Sequence, residues 1–141
     1  MTPLRILFQT HNRRGLGHLM RGLNIAREIR CLEPSAEIMF YTRSSVAESV
    51  CGGEFRSFLE TDPLELAHWP AVVRSFAPQV IVYDTLLPQH SAPRLGGTRS
   101  VYIMRKSKPA KQAEVFDHPL LRQIDLVLIP HTPDEFGYHL P

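Results

Sequence analysis

Residues Arg5 to Arg21 read RILFQTHNRRGLGHLMR, and the order of features in this stretch decides the fold class. An apolar run leads into a loop containing Gly15-Leu16-Gly17-His18, and a helical pattern begins there. Glycines allow a tight turn and close approach of the backbone to a ligand. A helix start adds unpaired N–H groups and a positive dipole end, both favourable to phosphate. A histidine in that position can exchange protons near neutral pH.

The same alternation continues outward. Leu19, Leu23, Ala26 and Ile29 fall on one stripe of Gly17 to Leu32, with Arg21, Asn24, Arg27 and Glu28 away from it, which predicts an amphipathic helix ending before Pro34. Short apolar runs rich in Ile, Val, Phe and Tyr recur at Leu4 to Gln9, Glu37 to Thr42, Glu54 to Leu59, Gln79 to Asp84, Ser100 to Met104 and Asp125 to Ile129. Near-continuous runs of this kind predict strands covered on both faces. Ser44 or Ser45 can cap a short helix through Val50 that Gly52-Gly53 would end; Asp62 can cap a longer one, with Pro63 at its first position and Pro78 beyond its end.

Strands alternating with helices predict an α/β domain with a Rossmann-like, doubly wound and mostly parallel sheet, whose ligands bind at the carboxyl ends of the strands. Gly15 to His18 and Asp84 fall at such ends. Beyond Asp84, prolines and glycines interrupt the pattern and predict loops with one or two short helices. The segment from Pro130, with sequence PHTPDEFGYHLP, has the composition of a tail leaving a core.

The 141 residues are read as one domain, too few for two full α/β domains, and no window approaches the roughly 18 apolar residues of a membrane helix. The start Met1-Thr2-Pro3 lacks secretory-signal character, so a cytoplasmic location is the expectation. Cys31 and Cys51 show neither CxxC spacing nor zinc-finger spacing to histidines, and the other histidines have no ligand spacing; no metal is expected. The net charge of +2 is small but uneven. Arg13, Arg14, Arg21, Arg27 and Arg30 crowd the first loop and helix, while Arg105, Lys106, Lys108 and Lys111 form a second cluster. This pattern suits an anionic ligand or an anionic membrane surface better than nucleic acid, with a solvated surface as the plain alternative for the second cluster.

The loop is not the GxGxxG dinucleotide fingerprint, because His18, Leu19 and Met20 follow the second glycine; it is not a Walker motif either. His18 is the first chemical candidate and Asp84, after Val80-Ile81-Val82-Tyr83, the second. A carboxylate beside an imidazole holds its tautomer and favours the protonated form, although Asp84 could equally be a turn residue before Thr85. His11 lies in the same loop as His18, and Arg21 could neutralise a phosphate. Trp69 is read as core.

The stretch Ile6-Leu7-Phe8 through Thr10-His11, then GLGHLMRGLNIARE and Glu37 to Ser44, resembles the amino-terminal half of predicted bacterial glycosyltransferases of the GT-B fold. These are similar to the enzymes that add N-acetylglucosamine to a lipid-linked peptidoglycan precursor. The resemblance rests on Gly15, Gly17, His18, Arg21 and Ile25-Ala26, covers roughly the first third of the chain, and implies a specific arrangement. His18 would be the general base on an acceptor hydroxyl, Asp84 would orient it, and Gly15 and Gly17 would shape the loop near the donor diphosphate or acceptor.

The resemblance implies transfer of a hexose-type sugar from a nucleotide-sugar donor without a cofactor. The donor-binding domain would lie outside residues 1–141 or on a partner chain, and this half alone would be nearly inactive. It also allows peripheral contact with the inner membrane face. GxGHxxR is similar as well to the nucleotide-sugar hydrolase of pseudaminic acid synthesis, in which the histidine would activate water. A Rossmann-like binding module without catalysis is the third reading.

Overall fold

Each of the apolar runs forms a strand, and the strands assemble into one parallel sheet. The computed structural model describes residues 2–10, 16–62, 64, 66–85, 87 and 96–132. Along them run β1 (Arg5–Thr10), α1 (Gly17–Leu32), β2 (Glu37–Thr42), α2 (Ala47–Cys51), β3 (Arg56–Leu59), α3 (Trp69–Phe76), β4 (Val80–Asp84), β5 (Arg99–Ile103), α4 (Pro109–Asp117) and β6 (Leu126–Leu128), with a 3-10 turn at Pro119–Gln123. The six strands are ordered β3-β2-β1-β4-β5-β6, and every pairing is parallel. This is a Rossmann-like α/β domain.

The strand order has a direct consequence for function. From β1 the chain winds outward through β2 to β3, then returns to place β4 on the other side of β1 and winds outward again. Connections leaving β1 and β4 therefore run in opposite directions, and a crevice opens between the carboxyl ends of those two strands. Asp84 is the last residue of β4, and α1 follows the loop that leaves β1.

Alternation along the strands distributes the core over two layers. Leu7, Met39, Tyr41, Ile81, Tyr83 and Tyr102 face α3, where Trp69, Val72, Val73 and Phe76 bury against them. Ile6, Phe8, Ile38, Phe40, Val82 and Ile103 face the opposite layer, made by Leu19, Leu23 and Ala26 of α1 with Ala47 and Cys51 of α2. Trp69 is a core residue, as read from the sequence, with 1% of its surface exposed. Among the described residues both cysteines are free, Cys31 at the surface and Cys51 buried.

One glycine sets the height of α1 above the sheet. Phe8 and Phe40 stack with ring centroids 5.0 Å apart, and Gly22 lies directly on them: a Cβ there would stand 2.8 Å from Phe40. Close approach of backbone to ring is possible only without a side chain. It fixes α1, and with it His18 and Arg21, low over the end of β4.

Some local expectations need correction. The helix expected after Asp62 starts later, at Trp69, with Pro70 in its first turn. Asp62 instead accepts the Leu64 N–H at 2.8 Å in a local turn, and Leu66 has a left-handed backbone (φ 57°) that a helix cannot pass through. Neither Ser44 nor Ser45 caps α2 with its side chain; Val46 holds that position, and the helix does end at left-handed Gly52. The strand expected from Glu54 begins at Arg56, because the chain is still turning at Gly52 and Gly53. The edge strands are also less covered than the apolar runs predict: Leu126, Val127 and Leu128 of β6 are all exposed.

Candidate functional site

At the crevice the chain brings together His18 and Arg21 of α1 with Asp84 and Thr85 at the end of β4. His18 and Arg21 are three residues apart, so they share one face of the helix. Leu19, Leu23 and Ala26 anchor the adjacent face in the core. Asp84 occupies the sheet face that looks toward α1, alternate to Tyr83, and only 2% of it is exposed.

The carboxylate is held from several sides. Arg21 Nη1 donates to Oδ1 at 2.6 Å and also reaches the Thr85 hydroxyl at 3.2 Å. The Thr85 hydroxyl in turn donates to the same Oδ1 at 2.9 Å. His18 presents Nδ1 to the other oxygen, Oδ2, at 3.3 Å. That contact has ion-pair distance without hydrogen-bond alignment, and neither atom has a hydrogen-bond partner among the described residues. Contacts of catalytic groups are often this long before a ligand arrives and shorten when it does.

Thr85 is a residue that reading the sequence did not single out. Its φ of 65° puts a β-branched side chain in left-handed backbone, a conformation that costs on the order of 1–3 kcal/mol and tends to persist where surrounding contacts enforce it. Those contacts are visible. The Thr85 N–H donates to the Ile103 carbonyl at 2.9 Å, and its own carbonyl accepts the Tyr102 hydroxyl at 2.9 Å. Burial and the nearby charge of Asp84 push the Tyr102 pKa up to about 12, so the phenol stays a donor. No pattern in the sequence marks such a backbone; the signal was simply its place after a strand-ending aspartate.

The other sequence candidates divide into two groups. Gly17 opens α1, and space is open where its Cβ would be. His11 and Gly15 lie outside the described residues, as do Arg13 and Arg14. Arg21, expected to neutralise a phosphate, commits Nη1 to Asp84 and Thr85.

A second carboxylate–imidazole pair stands on the same edge of the sheet but toward α3. Glu60 follows β3 with its side chain wholly buried. It accepts the Tyr41 hydroxyl, the His68 N–H at 2.8 Å, the Asp62 N–H at 3.0 Å and His68 Nδ1 at 2.9 Å. Burial alone would raise the Glu60 pKa, but these donors outweigh it and hold the group at about 2. The hydrogen bond and charge of Glu60 raise the pKa of His68, while burial, followed by the bond to Glu60, raises that of Tyr41. Every oxygen of Glu60 is used twice, which makes it the clamp of the β3–α3 connection. The signal was in the sequence, since Glu60 directly follows one apolar run and Asp84 closes another.

Among the described residues no group of three or more His, Cys, Asp or Glu side chains could hold a metal ion, and no helix is long and apolar enough to cross a membrane. Set against protein-family models, curated proteins and solved structures, the chain gave no match. The functional reading therefore rests on the residues themselves.

Proposed function

We propose that this domain is the acceptor side of a glycosyltransferase, with His18 as the general base and Asp84 as its orienting partner. The observation that carries the reading is the approach of His18 Nδ1 to buried Asp84 Oδ2 at 3.3 Å, inside the crevice between β1 and β4. Shortening of that contact on ligand binding would direct Nδ1–H at the carboxylate and leave Nε2 as a proton acceptor. An acceptor hydroxyl donates its proton to Nε2 as its oxygen bonds to the anomeric carbon. The sugar–phosphate bond breaks with its electron pair leaving on the nucleoside diphosphate. Arg21 holds Asp84 in place throughout.

A nucleotide-sugar donor bound mainly by a second domain, on this polypeptide or on a partner chain, completes this scheme. The test is turnover in a preparation that includes that donor-binding half, comparing native protein with His18→Ala and Asp84→Asn. Loss of roughly a hundredfold or more with His18→Ala is expected of a general base. Unchanged turnover would instead indicate a binding module. Release of free sugar without any acceptor would make the histidine the activator of water, as in the hydrolase reading.

A further inference from the structure

Behind Thr85, on the side away from Asp84, lies a cavity of about 200 Å³ at the carboxyl end of β5. Thr85, Tyr102, Ser107, Arg105, Lys106 and Lys111 form its polar lining, Met104 and Val115 complete it, and among the described residues no carboxylate lines it. We propose that this cavity binds the phosphate group of a substrate, as a phosphate ester or diphosphate.

Charge is the first reason. Three cationic side chains converge on a space large enough for one or two phosphate groups, and Lys111 alone of them has a carboxylate partner, Glu114 at 2.7 Å. Among the described residues Arg105 and Lys106 have none. Such a concentration of unpaired positive charge is stabilised by a multiply charged oxyanion, for which guanidinium and ammonium groups are the strongest donors. A single carboxylate would leave most of that charge uncompensated.

Construction is the second reason. Met104, just before the cations, is buried at 1% exposure and its N–H donates to the Leu128 carbonyl at 2.8 Å. The Lys106 N–H donates to His131 Nε2 at 3.2 Å. The segment bearing Arg105 and Lys106 is thus pinned to the strand and the chain beside it, which lowers the entropy lost on binding. The hydroxyl of Ser107 supplies a neutral donor beside the cations.

Position is the third. Thr85 belongs both to the wall of this cavity and to the cluster around Asp84, so a phosphate held here places the rest of its molecule toward His18. That role in positioning a substrate rests on the proposed function; the binding does not. A soluble phosphate ester and a lipid phosphate headgroup would present the same chemistry.

The experiment titrates inorganic pyrophosphate into the isotopically labelled chain and follows amide chemical shifts at low and high salt. A parallel arm measures sedimentation with phosphatidylcholine vesicles with and without phosphatidylglycerol. Shifts centred on residues 104–111 with pyrophosphate are expected. Weakening of at least tenfold is expected in the double variant Arg105→Gln with Lys106→Gln and in Ser107→Asp, while Arg74→Gln on the far helix and His18→Ala bind as the native chain does. Binding confined to phosphatidylglycerol vesicles and lost in the same variants assigns the phosphate to a lipid. The absence of binding in both arms, or binding that Arg74→Gln weakens as much as the double variant, overturns the proposal; unchanged turnover in His18→Ala with intact pyrophosphate binding overturns the transferase reading alone.

Discussion

Arg21 grips Asp84 more closely than His18 does: Nη1 stands 2.6 Å from Oδ1, against 3.3 Å between His18 Nδ1 and Oδ2. The arginine is therefore first a structural counter-ion for a carboxylate that is 2% exposed. Removing one partner of a buried charge leaves the other poorly compensated. Arg21→Met is expected to destabilise the domain by about 2–4 kcal/mol, and Arg21→Lys by less; urea unfolding of the variants measures both. An unchanged midpoint for Arg21→Met would show that Asp84 does not need it.

Gly22 makes a steric prediction. Helix propensity favours Ala over Gly by about 1 kcal/mol, but the added Cβ would sit 2.8 Å from Phe40, a ring that is fully buried and stacked on Phe8. That ring has nowhere to yield. Gly22→Ala is expected to cost about 1–3 kcal/mol net, against the gain an exposed helix position would show.

Stability should vary with pH through Glu60 and His68. The folded pKa of Glu60, about 2, is below its ordinary 4.5, so its contribution is complete above about pH 4.5 and is lost as pH falls toward 2. His68 is raised above its ordinary 6.5; its contribution is present below pH 6.5 and fades as pH rises through the folded value. The pair is thus most stabilising between those limits. Glu60→Gln should cost about 2–3 kcal/mol there and flatten the pH profile of the unfolding midpoint; a profile of unchanged shape would assign the dependence to other groups.

Gln9 is 1% exposed, and both atoms of its side-chain amide lack a hydrogen-bond partner among the described residues. Burial of an unpaired amide is unfavourable by about 1–3 kcal/mol, and Met has a similar volume. Gln9→Met is expected to raise stability by about 1 kcal/mol in chemical unfolding. A loss instead would mean that the amide contributes to the native chain in a way its surroundings do not account for.

Local periodicity carried most of the architecture. The stripe of Leu19, Leu23 and Ala26 located α1, and the β-branched and aromatic runs located all six strands to within two residues of their ends. Sequence spacing does not specify which strands are neighbours, so the return of β4 to the side of β1 became visible only in three dimensions. The site divides in the same way. His18 and Asp84 could be nominated from their positions at strand ends, whereas the contact between Arg21 and Asp84 spans 63 positions and has no local signature. The expected helix at Asp62 failed because cap chemistry competes: the Asp62 side chain took the Leu64 N–H, its own N–H went to Glu60, and Leu66 turned left-handed. Thr85 illustrates the general limit, since backbone strain depends on what surrounds a residue and not on its type.

β6 has a consequence for handling the protein. Its three residues expose apolar side chains on both faces, and among the described residues it pairs with β5 alone in the sheet. Strand edges of this kind template the addition of further strands unless charge or proline guards them, and Leu126-Val127-Leu128 contains neither. Edge-to-edge self-association at high concentration is the expected cost, and a lysine introduced at Val127 the natural gatekeeper.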